Sequence, residues 1–162
     1  MSIDCDQLRD IIIKPTLTAL GMNSPSAVNL MLGTCAQETN MGRYIVQKKI
    51  TFRGGIGIYQ LQRAAYDMLW TRMILPDASM KAKMKLLLNY SGKPPAERLA
   101  SDLMLATAMT RLYYWAINRP LPAYDDLPAL ADYWKDFYNT RSGKGTTQLF
   151  VENYRVYVMN ED

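Results

Sequence analysis

The stretch SPSAVNLMLGTCAQETNMG at residues 24–42 decides how this chain folds. Ser24 followed by Pro25 is typical of a helix start, because serine caps free backbone N–H groups and proline fits the first helical position. Gly42 predicts the end of the same helix. Between these signals, apolar side chains recur at steps of three and four residues, at Val28, Met31, Leu32 and Cys35. The pattern predicts one α-helix with a single buried stripe.

Glu38 continues this apolar stripe, three residues beyond Cys35 and seven beyond Met31. Burial and the partial negative charge at the end of a helix both disfavour a carboxylate, so we expect the pKa of Glu38 to be raised. A carboxyl group that keeps its proton near neutral pH can act as a general acid, as cleavage of a glycosidic bond requires. The alternative is an ordinary ion pair with Arg43 or Arg53.

The whole chain predicts a mainly α-helical protein with a single domain over residues 1–162. Helical periodicity is lost after Gly42, and three glycines follow Thr51, which predicts a short loop or β-hairpin near residues 43–59. The other predicted helices are Cys5 to Leu20, bent near Pro15 and stopped by Gly21, then Gln60 to Leu75, Met80 to Tyr90, Pro95 to Asn118 and Leu127 to Tyr138. A last amphipathic segment carries Phe150, Tyr154 and Tyr157.

Composition narrows the chemistry that the chain can perform. With 49% hydrophobic and 21% charged residues, it can bury a sizeable core. It has no histidine, which excludes Ser-His-Asp and Cys-His hydrolases and most catalytic zinc sites. Cys5 and Cys35 are too few for a disulfide framework or a cysteine-rich metal site, so we interpret both as reduced thiols. We therefore expect carboxyl groups to do any acid–base work, with no cofactor and no metal.

The net charge of +4 favours an anionic partner, such as nucleic acid, an anionic membrane surface or a bacterial wall. Nucleic acid is disfavoured, because the dense basic run of Lys81, Lys83 and Lys85 is scattered around a helix axis. The N-terminus carries acidic residues where a signal peptide has basic ones, and the apolar run at residues 11–13 is too short to span a membrane. We expect synthesis in the cytoplasm without a signal peptide, and no membrane insertion.

Two short motifs resemble those of the lytic transglycosylases and goose-type lysozymes, which belong to the lysozyme-like superfamily. Gln37-Glu38-Thr39-Asn40-Met41-Gly42 is similar to their Glu-Ser motif, with Thr39 in place of the serine. Gly57-Ile58-Tyr59-Gln60 begins nineteen residues after Glu38 and is similar to their Gly-Leu-Met-Gln motif. The resemblance implies that Glu38 is the catalytic acid and that Thr39 also lies at the substrate.

The same resemblance implies roles for the second motif. Gly57 would allow close backbone approach, Tyr59 would stack on a sugar ring in place of the usual methionine, and Gln60 would hold the sugar or the acid. Taken without the resemblance, Gly57 is an ordinary loop glycine and Gln60 is a helix cap.

A third motif of the group, Ala-Tyr-Asn, is matched by Phe137-Tyr138-Asn139. The match departs from the group in its phenylalanine and in a longer separation from the second motif, and Tyr133 or Tyr114 could occupy the same space. The resemblance implies that Tyr138 and Asn139 contact the acid or the substrate, whereas the alternative for Tyr138 is a core aromatic side chain. The C-terminal pattern, Tyr133-Trp134 to Asn153-Tyr154-Arg155, also resembles small proteins encoded by tailed phages.

Together these features predict an enzyme that cleaves the MurNAc–GlcNAc bond of bacterial peptidoglycan. No second carboxyl group stands out beside Glu38, although Asp67, Asp77 and Asp102 are available. A hydrolase needs two carboxyl groups, whereas the transglycosylases of the group that the chain resembles need one. We therefore predict a lytic transglycosylase, with a muramidase and a non-catalytic phage structural or tail protein of the same fold as the alternatives.

The expected partners follow from this function. They are peptidoglycan and, if the protein is a virion component, other phage virion proteins. Because we expect cytoplasmic synthesis, action at the cell wall would require delivery by a phage particle, a holin-type pore or a secretion machine.

Overall fold

The computed structural model describes residues 1–46, 54–139 and 143–161. In these residues the chain is mainly helical, with one small antiparallel sheet, so the predicted fold class is confirmed. The helices of the described residues are α1 (residues 5–20), α2 (Pro25–Thr39), α3 (residues 63–74), α4 (Ala78–Leu88), α5 (Leu103–Ala116), α6 (residues 127–139) and α7 (Thr147–Tyr157).

Three of these helices contain a π-helical stretch with wider hydrogen bonding. In α1 the π-helical stretch is Leu8–Ile13, and the α-helical segments on either side are Cys5–Gln7 and Lys14–Leu20. The stretch ends two residues before Pro15, where the sequence predicts a bend. In α3 the α-helix Arg63–Leu69 continues as Trp70–Ile74, and in α6 Leu127–Trp134 continues as Lys135–Asn139. Such stretches occur often at functional sites, and the one in α6 contains the third predicted motif.

The two ends of α2 are defined by local chemistry. The Ser24 hydroxyl accepts a hydrogen bond from the backbone N–H of Ala27 at 3.1 Å, and Pro25 takes the first helical position, as predicted. At the other end the helix stops at Thr39, because Asn40 adopts a left-handed backbone conformation with φ of 50°. The helix thus ends three residues before the predicted stop at Gly42, which leaves Glu38 in its last turn.

A hairpin is present as two short strands, β1 (Gly55–Ile56) and β2 (Leu61–Gln62). Its second strand lies beyond the predicted range of residues 43–59, of which residues 47–53 are outside the described part of the chain. They pair antiparallel, with Gly55 opposite Gln62 and Ile56 opposite Leu61, and Val46 forms an isolated bridge to Ile56. Helix α3 begins at Arg63 and not at the predicted Gln60. Gln60 lies in the turn of the hairpin with φ of 52°, a left-handed conformation that cannot continue into an α-helix.

The predicted helix from Pro95 to Asn118 is interrupted. A short 3₁₀ helix covers Ala96–Ala100, and α5 then starts at Leu103. The break occurs because the Asp102 carboxylate accepts a hydrogen bond from the backbone N–H of Leu105 at 2.9 Å and so caps a new helix. Helix α4 starts and ends two residues before its predicted bounds, and its Asp77 cap accepts a hydrogen bond from the Met80 N–H.

Apolar side chains from all of these helices and from the hairpin meet in one hydrophobic core. Helix α7 packs closely against α2, because Gly33 leaves room for the fully buried ring of Phe150. A methyl group on Gly33 would lie 2.2 Å from an atom of that ring. Cys5 and Cys35 are both buried as separate thiols. No described helix has the length and apolar character needed to cross a membrane.

Candidate functional site

A cleft opens at the last turn of α2 and contains the side chain of Glu38. Its volume is about 230 Å³, and its walls come from the hairpin, the start of α3, the last third of α5 and the π-helical end of α6. The residues that line it are Glu38, Gln60, Leu61, Gln62, Ala65, Tyr113, Tyr138 and Asn139. Of the residues predicted for the site, the fold therefore brings Glu38, Gln60, Tyr138 and Asn139 together around one cleft.

Among the described residues, one direct hydrogen bond holds the carboxyl group of Glu38. The indole Nε1–H of Trp134, on α6, donates to Glu38 Oε1 at 3.0 Å, and Trp134 itself is fully buried. Burial raises the pKa of Glu38 from 4.5 to about 7, while the Trp134 hydrogen bond opposes this by favouring the carboxylate. The side chain is thus held in position, and its burial favours the protonated form near neutral pH.

The alternative of a simple ion pair is not seen for Arg43. Within the described residues Glu38 forms no salt bridge, and the Arg43 guanidinium instead lies 5.8 Å from the ring centre of Tyr44. Arg53 lies outside the described residues, so its predicted pairing is not described. A carboxyl group without a cationic partner keeps the raised pKa that its burial causes.

Thr39 lies beneath the cleft and is 1% exposed. Its hydroxyl donates to the carbonyl oxygen of Ile58 at 2.6 Å and accepts a hydrogen bond from the backbone N–H of Gly42 at 2.9 Å. These bonds tie the end of α2 to the hairpin turn. Because the side chain is buried, the predicted substrate contact of Thr39 is wrong. Its hydrogen bonds instead fix the end of α2, which carries Glu38, relative to the hairpin turn.

Tyr59 was predicted to stack on a sugar, and this is wrong because the side chain is completely buried. Its ring points into the core, where its hydroxyl lies 3.0 Å from that of Thr107 on α5. The Tyr59 carbonyl oxygen faces the opposite way and accepts a hydrogen bond from the Tyr138 hydroxyl at 2.6 Å. Tyr59 therefore anchors the hairpin in the core, and its carbonyl oxygen holds Tyr138, which lines the cleft.

Gly57 makes the close backbone approach that was predicted, but its neighbour is a protein segment and not a ligand. Its φ is 80°, and a methyl group on it would lie 2.3 Å from the carbonyl oxygen of Leu99. Gly57 is buried, so the predicted contact with substrate is wrong for this residue too. Glycine is required here for both backbone conformation and space.

Gln60 lines the cleft and stabilises the turn that carries it. Its side-chain Nε2 donates to the carbonyl oxygens of Gly57 at 2.9 Å and Ile45 at 3.2 Å. These bonds hold the hairpin turn against the preceding loop. The alternative role of a helix cap is wrong, because α3 begins three residues later and is preceded by Gln62.

Tyr138 lines the cleft and also packs in the aromatic core, while its contact with the acid or the substrate stays a prediction. Its ring stacks on Tyr114 at 5.2 Å and meets the edge of Tyr113 at 5.3 Å. Burial, followed by the nearby charge of Glu38, raises the pKa of the Tyr138 hydroxyl well above its usual value. The hydroxyl therefore stays protonated and serves as the hydrogen-bond donor to the hairpin.

Asn139 is oriented by Lys135, whose ammonium group donates to Asn139 Oδ1 at 2.7 Å. The same ammonium group donates to the carbonyl oxygens of Gly143 at 2.9 Å and Gly145 at 2.6 Å. Lys135 thus holds the segment after α6 against the end of the helix. The Asn139 Nδ2 atom lies beside Gly145: a methyl group added to Gly145 would be 3.1 Å from it.

Sequence reasoning missed Trp134, Tyr113 and Gln62. Trp134 could have been found, because it precedes Tyr138 by four residues and therefore lies on the same face of α6.

The three candidate second carboxylates all have structural partners. Asp102 and Asp77 are helix caps, and Asp67 forms an ion pair with Lys93.

Comparisons with models of known protein families, with characterised proteins and with solved structures gave no match to this chain. The geometry of the cleft and the resemblance of its motifs therefore carry the functional argument.

The burial of Glu38 predicts that stability falls as pH rises from acidic to neutral values. In the unfolded chain the carboxyl group loses its proton near its ordinary pKa of 4.5, but in the fold it does so near 7. Between these values the unfolded state binds fewer protons, so unfolding becomes more favourable with rising pH. The difference corresponds to at most about 3 kcal/mol, reduced by the partial exposure of the side chain.

Glu38→Gln removes the ionisation, so we expect this variant to be more stable than the wild type by about 2 kcal/mol at pH 8 and to lose that advantage near pH 4. Urea unfolding at the two pH values measures the effect, with Glu152→Gln as a control at an exposed carboxyl group. An advantage that is the same at both pH values would contradict the raised pKa.

Proposed function

We propose that this protein is a peptidoglycan-cleaving enzyme that acts on the MurNAc–GlcNAc bond, with Glu38 as its acid–base catalyst. The observation that carries the proposal is a single carboxyl group with a pKa of about 7, fixed by Trp134 in a cleft that contains two tyrosines and three side-chain amides. Amide and hydroxyl groups suit hydrogen bonding to sugars, and the net charge of +4 suits an acidic wall polymer.

In the proposed reaction, protonated Glu38 donates its proton to the glycosidic oxygen as the bond to the muramic C1 breaks. Glu38 is then a carboxylate and takes the proton from the nucleophile that attacks C1. Burial favours the protonated form before the first step, and the Trp134 N–H stabilises the carboxylate after it. One carboxyl group can thus serve both steps when the glycosidic oxygen and the attacking oxygen both lie within hydrogen-bond reach of it.

We further propose that the nucleophile is the C6 hydroxyl of the same muramic acid, which makes the enzyme a lytic transglycosylase. Glu38 is the only acidic residue among the described residues that line the cleft. The undescribed segments 47–53 and 140–142 contain no aspartate or glutamate in their sequence, and the undescribed last residue is Asp162. With no second carboxylate among the described residues of the cleft, the tethered hydroxyl has the advantage over water, because intramolecular attack can reach effective molarities of about 10⁵ M or more.

The products test this proposal. Digestion of purified peptidoglycan is expected to release 1,6-anhydromuropeptides, which are lighter by one water than lysozyme products, and mass spectrometry distinguishes the two. The Glu38→Gln variant serves as the background control. Reducible muramic acid ends as the main product would instead indicate a muramidase. Release of no muropeptides from several wall types would overturn the enzymatic proposal and favour a non-catalytic phage structural protein.

The proposed site of action is the cell wall. The resemblance of the C-terminal pattern to small phage proteins supports a virion or lysis component, with other virion proteins as partners in the first case. Neither a cofactor nor a metal ion is part of the proposed mechanism.

A further inference from the structure

A second candidate site lies at the end of α5, next to the Glu38 cleft but separate from it: Tyr114 lines the second site and stacks on Tyr138 of the cleft. Arg111 is only 8% exposed, although it carries a full positive charge. Its Nε–H donates to the carbonyl oxygen of Met22 at 3.5 Å, but its buried Nη1 has no hydrogen-bond partner among the described residues. Burying a charged group without a counterion is unfavourable, so such a group calls for an explanation.

Arg111 lines a surface cavity of about 330 Å³ together with Arg119 at its exposed rim. Apolar surface comes from Trp115 and Leu121, and Asn118 adds a side-chain amide. Among the described residues, the cavity and the Glu38 cleft have no lining residue in common. No described aspartate or glutamate lines the cavity or pairs with Arg111 or Arg119, and the Arg119 guanidinium lies 5.7 Å from the ring centre of Phe137.

We propose that this cavity binds the C-terminal carboxylate of a short peptide. A guanidinium group with free N–H donors matches the planar geometry of a carboxylate, and two arginines at one cavity provide the charge that such an anion requires. The indole of Trp115 and the side chain of Leu121 give the aliphatic part of the peptide an apolar surface. Phosphate would match the charge but would leave this apolar wall unused.

Binding of a carboxylate would also explain how the fold tolerates Arg111. Burial lowers the pKa of its guanidinium, because the charged form is poorly solvated in the core. A carboxylate bound in the cavity supplies a counterion for the Arg111 guanidinium, which has no acidic partner among the described residues. The inference does not depend on the proposed cleavage of peptidoglycan, since none of its residues belongs to the Glu38 cleft.

Trp115 provides a direct signal for binding. The chain has three tryptophans; Trp70 and Trp134 are 1% and 0% exposed, whereas Trp115 is 51% exposed at the cavity. Iodide quenching and ligand-induced changes in fluorescence therefore report mainly on Trp115. The probes are N-acetyl-dialanine in its D,D and L,L forms, the corresponding C-terminal amides, and inorganic phosphate, with calorimetry as a second measurement.

We expect saturable binding of at least one free acid that protects Trp115 from iodide, and at least tenfold weaker binding of its amide. Preference for the D,D form identifies a wall stem peptide as the natural source, and preference for the L,L form identifies a protein C-terminus. Arg119→Gln should weaken binding about fivefold and Arg111→Gln at least tenfold. Arg72→Gln, which removes the same charge at an exposed position outside the cavity, should leave binding unchanged.

Arg111 is buried, so Arg111→Gln could lower the stability of the fold, and the test therefore does not rely on that variant alone. Arg119 is exposed, and its variant is expected to keep the wild-type fold. Equal binding of acid and amide, absence of saturable binding, tighter binding of phosphate than of either acid, or an Arg119→Gln variant with wild-type affinity would each overturn the proposal. Loss of wall cleavage without loss of peptide binding would separate this site from the proposed function.

Discussion

Glu38→Gln is expected to lower the rate of muropeptide release by about 10²–10⁴-fold, the usual contribution of proton transfer by a positioned acid. Glutamine keeps an oxygen that can accept the Trp134 hydrogen bond, but it has no proton to donate to the glycosidic oxygen. The change should therefore affect chemistry more than structure. The measurement is the initial rate on purified peptidoglycan, with circular dichroism to verify that helical content is unchanged.

The pH profile provides an independent readout of the same residue. Since the acid must be protonated at the start of the reaction, wild-type activity should decline as pH rises through about 7, the pKa of Glu38 in the fold. Glu152→Gln, at an exposed carboxyl group, should keep both the wild-type rate and the wild-type profile. If Glu38→Gln retains more than about a tenth of the wild-type rate, Glu38 is not the general acid.

Gly57→Ala is expected to cause a large loss of stability. The residue has φ of 80°, and its new methyl group would lie 2.3 Å from the Leu99 carbonyl oxygen. The left-handed conformation costs about 1–2 kcal/mol for a residue with a side chain. Overpacking against rigid backbone adds about 1–3 kcal/mol, so the total should be about 3 kcal/mol or more, measurable by urea unfolding.

Gly92 offers a matched control for this variant. Its φ is 81°, nearly the same as that of Gly57, but a methyl group there would meet nothing within 4 Å. Gly92→Ala should therefore cost only the conformational part, about 1–2 kcal/mol. Equal losses in the two variants would mean that the contact with Leu99 is not decisive. Because the turn beyond Gly57 carries the Tyr59 carbonyl that Tyr138 binds, we also expect lower activity in Gly57→Ala.

The sequence by itself was sufficient for features that arise from neighbouring residues. The capped start of α2 and its buried stripe follow from side chains within four residues of one another, because helical spacing places them on one face. The position of Glu38 on that stripe indicated the direction of its pKa shift, although its burial is completed by distant parts of the chain. The turn signals around Gly57 predicted a hairpin for the same reason. Where local signals competed, the sequence was less reliable, and the cap at Asp102 divided a helix that periodicity had predicted as continuous.

Only the tertiary structure decided which side chains face the cleft. Tyr59 and Gln60 are adjacent in a tight turn, yet one is buried against α5 and the other lines the cleft, because packing of the whole core determines the orientation of the turn. The bond from Trp134 to Glu38 joins residues 96 positions apart, and the cavity at Arg111 combines parts of α5 with the loop that follows it. Such contacts depend on how distant helices pack, which no local pattern of residues specifies.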